Sequence, residues 1–163
     1  MIKAAILTIS DKGSKGERVD GTGPVIRKIL EDNEYKVEYY KIIPDEMKEI
    51  EKELKYLSDN LKIELVLTNG GTGFSERDVT PEATRNVIEK YVPGIGEVMR
   101  GKSLEITPKA MLSRAIAGIR KKTLIINLPG SPKGAAENLG FVIPALKHGI
   151  EIMVGKASEC ARK

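Results

Sequence analysis

Apolar positions along the chain follow two rhythms. Unbroken apolar runs recur at Ile2 to Ile9, Val37 to Ile43, Glu64 to Thr68 and Thr123 to Asn127, each bounded by turn-forming residues. Runs without alternation suit strands that are covered on both faces. Between them the apolar positions step by three and four. In EMKEIEKELKYLSDN, Met47, Ile50, Leu54 and Leu57 fall on one stripe of a helix. Further helices are expected at Gly23 to Glu31, Pro81 to Tyr91, Gly96 to Leu104, Pro108 to Gly118 and Lys133 to Val154, the last with a break near Pro144. Strands alternating with helices predict an α/β fold, right-handed crossover units around a largely parallel sheet. No repeat or linker interrupts the pattern, and residues 1–163 are expected to form a single domain.

Composition narrows the chemistry by exclusion. The net charge of +4 arises from 27 basic and 23 acidic residues spread along the chain, without a cationic run. Aromatics make up 4% and Trp is absent, so little is available for stacking bases, and nucleic acid is not an expected partner. Cys160 is the only cysteine and His148 the only histidine, which excludes an internal disulfide and a thiolate or imidazole zinc cluster. A metal here must be held by oxygen. MIKAAILTIS lacks a cleavage region, and no stretch reaches the roughly 18 apolar residues of a membrane span, so the expected compartment is the cytoplasm.

Candidate chemistry concentrates where strands end. In an open parallel sheet, ligands bind beyond the carboxyl ends of the strands. Four such exits carry the unusual residues: Ser10-Asp11, Pro44-Asp45-Glu46, the stretch TNGGTGFSERDVTPEAT, and Asn127 through Lys133. Gly70, Gly71 and Gly73 permit positive φ and convergent N–H groups that suit an anion, and Thr72 adds a hydroxyl; they equally suit a tight turn. Neither the P-loop nor the dinucleotide fingerprint fits, since no Lys-Ser/Thr follows the second glycine and Glu76 stands where a third glycine belongs. Thr80-Pro81-Glu82 reads as a helix start with a hydroxyl N-cap. Asp45 reads either as the cap of the helix beginning near Glu46 or, with Asp78, as one of two carboxylates that would hold Mg2+. Pro129 and Pro132 stiffen the backbone around Gly130 and Ser131, and Lys133 offers an ammonium at a helix start, which is a turn or a second phosphate contact.

GGTGFSERDVTPEAT, IPDE, ITPKAMLSRAIAGIR and LIINLPGSPKG, in this order, resemble the molybdopterin adenylyltransferases of molybdenum-cofactor biosynthesis, the Mog and MoaB group. The likeness runs from ILTISD to PALKHGIEIM. It implies a three-layer α/β sandwich, usually a trimer, that joins molybdopterin to AMP from Mg-ATP and releases pyrophosphate. Molybdopterin carries a dithiolene and a terminal phosphate, and that phosphate would be the nucleophile. By the same resemblance Asp45 and Asp78 are the essential acids and metal ligands. Substrate contacts would fall on Ser10, Asp11, Gly70, Gly71, Thr72, Gly73, Thr80, Pro129, Gly130, Ser131 and Lys133, with Arg77 and Arg114 as weaker candidates. Metal insertion into the pterin would belong to a separate downstream partner. Two other readings stand beside this one: a non-catalytic pterin-binding or scaffolding module, and a nucleotide-binding α/β domain with another substrate.

Overall fold

Leu65–Asn69 is a strand in which every residue is buried, and it lies in the middle of the sheet. A computed structural model describes residues 1–156. Its strands are β1 (Ile2–Ile9), β2 (Tyr35–Ile43), β3 (Leu65–Asn69), β4 (Lys90–Tyr91), β5 (Ala117–Arg120) and β6 (Thr123–Leu128), in the order β2-β1-β3-β6-β5-β4. The first four in that order are parallel, and β5 and β4 add an antiparallel edge.

The helices are α1 (Asp11–Ser14), α2 (Thr22–Asp32), α3 (Met47–Lys55), α4 (Thr80–Val87), α5 (Pro93–Leu104) and α6 (Pro132–Met153). Helices cover both faces. Ile2, Ala4 and Ile6 of β1 pack with Ile26 and Leu30 of α2, Met99 of α5 and Leu139 of α6. Ala5, Leu7 and Ile9 point the other way, toward Ile50 and Leu54 of α3 and Val87 of α4. A strand buried on both faces has no polar alternation, which is why the apolar runs mark the sheet. The three-layer α/β architecture is the one expected, and the stripe of α3 is buried as its spacing requires, with Leu57 on a π turn that extends the helix.

Three helix expectations are corrected. Pro108 to Gly118 is not a helix: a 3-10 turn over Pro108–Leu112 gives way to extended chain and β5. The backbone of Ile116 there exchanges bonds with Asn127, accepting from its N–H and donating to its side-chain oxygen, so the sheet edge captures the segment. The helix expected from Pro81 to Tyr91 stops at Val87 for the same reason, since Glu89 and Val92 donate to Ile119 and Ala117 of β5. By contrast α6 runs unbroken through Pro144. Pro144 is exposed while Val142, Ile143, Leu146 and Ile150 are buried, so the unbonded carbonyl meets water and the apolar face holds the helix.

Candidate functional site

Because β2, β1, β3 and β6 are parallel neighbours, their carboxyl ends lie on one rim and their four exit loops meet there. The first two loops are tied reciprocally. Asp11 N–H donates to Asp45 Oδ2 at 2.9 Å, and Asp45 N–H donates to Asp11 Oδ1 at 3.1 Å. Arg77 brings in the third loop, donating to both Asp11 carboxylate oxygens at 3.0 and 2.9 Å and to Glu46 at 2.7 Å. The fourth loop is joined by Thr22 Oγ1, which donates to the Gly130 carbonyl at 2.7 Å, and by Gly70 N–H on the Leu128 carbonyl at 3.2 Å.

The glycine loop runs against both acids. Gly70 and Gly71 have φ of +95° and +68°, a region that side chains disfavour. A Cβ on Gly70 would overlap the Ile9 carbonyl oxygen, and one on Gly71 would overlap Thr80 Oγ1 and stand 3.2 Å from Asp45 Oδ1. One on Gly73 would stand 3.0 Å from Asp78 Oδ2. Asp78 Oδ2 in turn accepts from Ser75 N–H at 3.0 Å.

Several residues turn out to have other work than their position in the sequence implies. Asp45 does not cap α3: Glu46 occupies that position without a side-chain bond, and Asp45 faces Asp11 instead. Thr80 is not an N-cap either. Val79 holds that place, and Thr80 Oγ1 lies buried beside Gly71 and Asp45 with no hydrogen-bond partner. Ser10 and Ser131 do cap, accepting from Gly13 N–H at 3.0 Å and Gly134 N–H at 3.1 Å. Thr72 is buried, Pro129 half-buried and Gly130 exposed. Lys133 is mostly solvated, 4.0 Å from Glu137, and is not held against the glycine loop. Arg114 braces that loop from behind, donating to the carbonyls of Gly73 at 2.8 Å and Asp78 at 2.7 Å while pairing with Glu82.

The electrostatics of the two linked acids diverge. Burial raises the pKa of Asp45, and the charges of Asp11 and Asp78 push it further, against the pull of the Asp11 N–H and Arg77. Asp11 goes the other way, held low chiefly by its bonds to Arg77. Asp45 is therefore a crowded carboxylate among carboxylates, a place where a cation is welcome.

Sequence reasoning does not single out Asp20, which the fold makes a hub. Its Oδ1 accepts from Thr22 and Gly23 N–H at 2.9 and 3.1 Å, and its Oδ2 from Thr8 Oγ1 at 2.6 Å and Tyr40 Oη at 2.5 Å. Burial alone would raise its pKa, but these four donors lower it, while burial and Asp20 push the Tyr40 hydroxyl up to about 12. Asp-Gly-Thr-Gly-Pro ahead of a helix is a capping signal that could have found it.

Two clefts flank the Pro129–Ser131 loop. One of about 570 Å³ is bounded by Ser10, Gly13, Asp20, Asn69 and Gly130. The other, about 330 Å³, is bounded by Thr72, Gly73, Arg100, Ser103 and Ser113. Each has room for a planar ring; the residues that bound them do not include Asp45 or Asp78, which stand beside Gly71 and Gly73 on the same rim.

A largely parallel sheet with a glycine loop and two acids on its rim defines an α/β domain of the class that takes ligands beyond its strand ends, and this chain belongs to the molybdopterin-binding domain family. The family model described as "Probable molybdopterin binding domain" matches residues 5–148. The molybdopterin adenylyltransferase of Helicobacter pylori is 44% identical over 166 residues, which cover 99% of this chain and 93% of that protein. That of Escherichia coli K12 is 42% identical over 156 residues, covering 91% of this chain and 80% of the relative. Among solved structures, the molybdopterin biosynthesis enzyme MoaB from Thermus thermophilus superimposes with a TM-score of 0.92 at 48% identity, covering 98% of this chain and all of that one.

Proposed function

We propose that this protein transfers AMP from Mg-ATP to the terminal phosphate of molybdopterin, giving adenylylated molybdopterin and pyrophosphate. The observation that carries the reading is the meeting of Asp45 and Asp78 on one glycine loop at the rim of the parallel strands. A phosphate oxygen of molybdopterin forms a bond to the α-phosphorus of ATP as the bond to the pyrophosphate oxygen breaks. The attacking phosphate is already ionised at neutral pH, so no protein base is required.

Asp45 and Asp78 are the groups that would hold Mg2+. No cluster of three or more His, Cys, Asp or Glu suited to a metal occurs among the described residues, so substrate oxygens would complete its shell. The repulsion that raises Asp45 is what a divalent cation relieves. When bound, Mg2+ supplies neutralisation of the triphosphate charge. The chain's part is alignment and hydrogen bonding. The amides of Gly71 and Gly73 and the hydroxyls of Thr72 and Thr80 are the donors at the loop, where Gly70, its own N–H held by Leu128, supplies the turn, and the unpartnered Thr80 Oγ1 is a buried donor without an acceptor. Ser10 lines one cleft with Asp11 next to it in the chain, and Pro129, Gly130 and Ser131 form the loop between the two, ahead of Lys133 in the first turn of α6. The same reading has the protein work in the cytoplasm as a homotrimer that passes its product to a separate molybdenum-insertion protein. In its support, a groove of about 450 Å³ along α5 and α6, lined by Ile95, Val98, Phe141 and Met153, leaves an apolar surface for assembly. None of the described helices is long and apolar enough to cross a membrane.

Pyrophosphate is expected to appear when the protein meets molybdopterin and Mg-ATP. Chelation of the divalent metal should stop it without changing far-UV circular dichroism, because the described strands and helices are held by backbone hydrogen bonds and two apolar cores. Pterin binding without pyrophosphate would favour the non-catalytic module instead.

Acid pH should raise the Mg2+ concentration needed for half-maximal turnover. Asp45 takes up its proton above the ordinary aspartate value of 3.8, so competition between proton and metal begins at a higher pH than for an isolated aspartate. The two linked acids have opposite stability signs. The lowered pKa of Asp11 contributes stability that is complete above 3.8 and is lost as pH falls through its folded value. The raised pKa of Asp45 means its charge opposes folding, and protonation relieves it. Turnover measured across Mg2+ titrations at several pH values tests the first effect.

A further inference from the structure

Asn69 ends β3 on the wall of the larger cleft and is 1% exposed. Its Nδ2 donates to Thr8 Oγ1 at 2.9 Å and reaches the Leu7 carbonyl at 3.4 Å, while its Oδ1 has no partner. A buried acceptor left unmatched is costly, and a native structure keeps one for a reason.

The orientation of this amide follows from its neighbours. An ionised carboxylate can only accept. Asp20, held low by its four donors, therefore takes the single proton of Thr8 Oγ1 at 2.6 Å. The remaining lone pairs of Thr8 face Asn69, which must present N–H to them. The Leu7 carbonyl makes the same demand. Turning the amide over would set its oxygen against two acceptors, so the network keeps Oδ1 turned away from Thr8 and Leu7, on a residue that lines the cleft.

Other side-chain oxygens of that cleft already hold bonds within the chain. The Asp20 carboxylate accepts four bonds, Thr22 Oγ1 gives its proton to Gly130, and Ser10 Oγ accepts from Gly13. Asn69 Oδ1 is the buried side-chain acceptor on this wall that has no bond at all.

We propose that Asn69 Oδ1 is a specificity-determining acceptor for a ring N–H, amino or lactam, on the planar heterocycle bound in this cleft, and that Asp20 acts through Thr8 as the positioning residue that keeps it an acceptor. The inference rests on the function proposed above and deepens it. Both substrates carry such a donor, the 2-amino and N3–H edge of the pterin in one and the adenine amine in the other.

A ligand-by-residue cycle tests the assignment. Calorimetry would compare ATP with purine riboside triphosphate, which lacks the amine, and pterin with its 2-desamino and N3-methyl counterparts, on the wild-type chain, Asn69→Ala and Thr8→Val. The wild type is expected to bind one parent roughly ten- to a hundred-fold more tightly than its donor-less analogue. That ratio should fall toward one in both variants, and the pair that shows it identifies the source of the donor. Since the ratio is taken within each protein, a general loosening of the fold cancels out. Should Asn69→Ala fail to fold, Thr8→Val, close in shape and uncharged, carries the measurement.

Equal ratios in wild type and variants, or wild-type ratios near one for both pairs, overturn the proposal and leave Asn69 satisfied by water. In that event continued pyrophosphate release keeps the adenylyl-transfer reading standing. A wild-type chain that binds neither parent removes both.

Discussion

Asp45→Asn is expected to reduce turnover by about a hundred- to a thousand-fold, the scale at which a charge-stabilising group is lost from an active site, while the melting temperature stays level or rises. The two halves of this result have one cause. Asparagine keeps an oxygen for the Asp11 N–H that now sits 2.9 Å away, so the tie between the first two loops survives. What goes is the negative charge, which burial and the charges of Asp11 and Asp78 make unfavourable in the folded chain. Relief of that repulsion should appear as stability, and loss of the cation ligand as lost rate. Pyrophosphate release under saturating substrates and a thermal melt are the two readings. If activity and stability fell in proportion, Asp45 would be a structural residue and the proposed chemistry would lose its metal site.

Gly70→Ala should destabilise the chain by roughly 2–5 kcal/mol, combining a left-handed backbone imposed on an L residue with overpacking. The new Cβ meets the Ile9 carbonyl oxygen, a backbone atom of β1 that no rotamer change can clear. The φ of +95° adds strain even if space is found. Whatever relieves the contact also moves the loop that carries Gly71 and Thr80 against Asp45, so turnover should fall along with the midpoint in urea. Gly140 is the contrasting position. It is exposed on α6, a Cβ placed there would meet nothing within 4 Å, and Gly140→Ala should gain about 0.5–1 kcal/mol by helix propensity alone. Unchanged stability in Gly70→Ala would mean that the glycine loop is not pinned to β1.

Much of the frame was legible because burial writes itself into local sequence. β1 and β6 read as apolar runs because each has helices above and below, and α3 reads as a stripe because one side faces the sheet. The segments that misled are those whose state depends on a distant partner. Residues 113–118 carry helix-compatible composition, yet Asn127 and Thr72 claim their backbone groups, the latter through its carbonyl and Arg114 N–H at 3.0 Å. Asp20 lay hidden for a similar reason: its donors come from β1, β2 and the start of α2.

The chain alone determined its layered α/β class, the buried strands, and the four strand-exit loops that gather on one rim, since these follow from period, length and glycine placement over a few neighbouring residues. Only the tertiary structure decided which side chains share a bond. Asp11 and Asp45 are 34 positions apart and Asp11 and Arg77 are 66, and strand order together with register brings them within hydrogen-bond reach. It likewise turned Asp45 from a helix cap into a crowded carboxylate and left the oxygens of Asn69 and Thr80 buried without partners. Period reports how each residue meets solvent; who donates to whom depends on contacts that no local window contains.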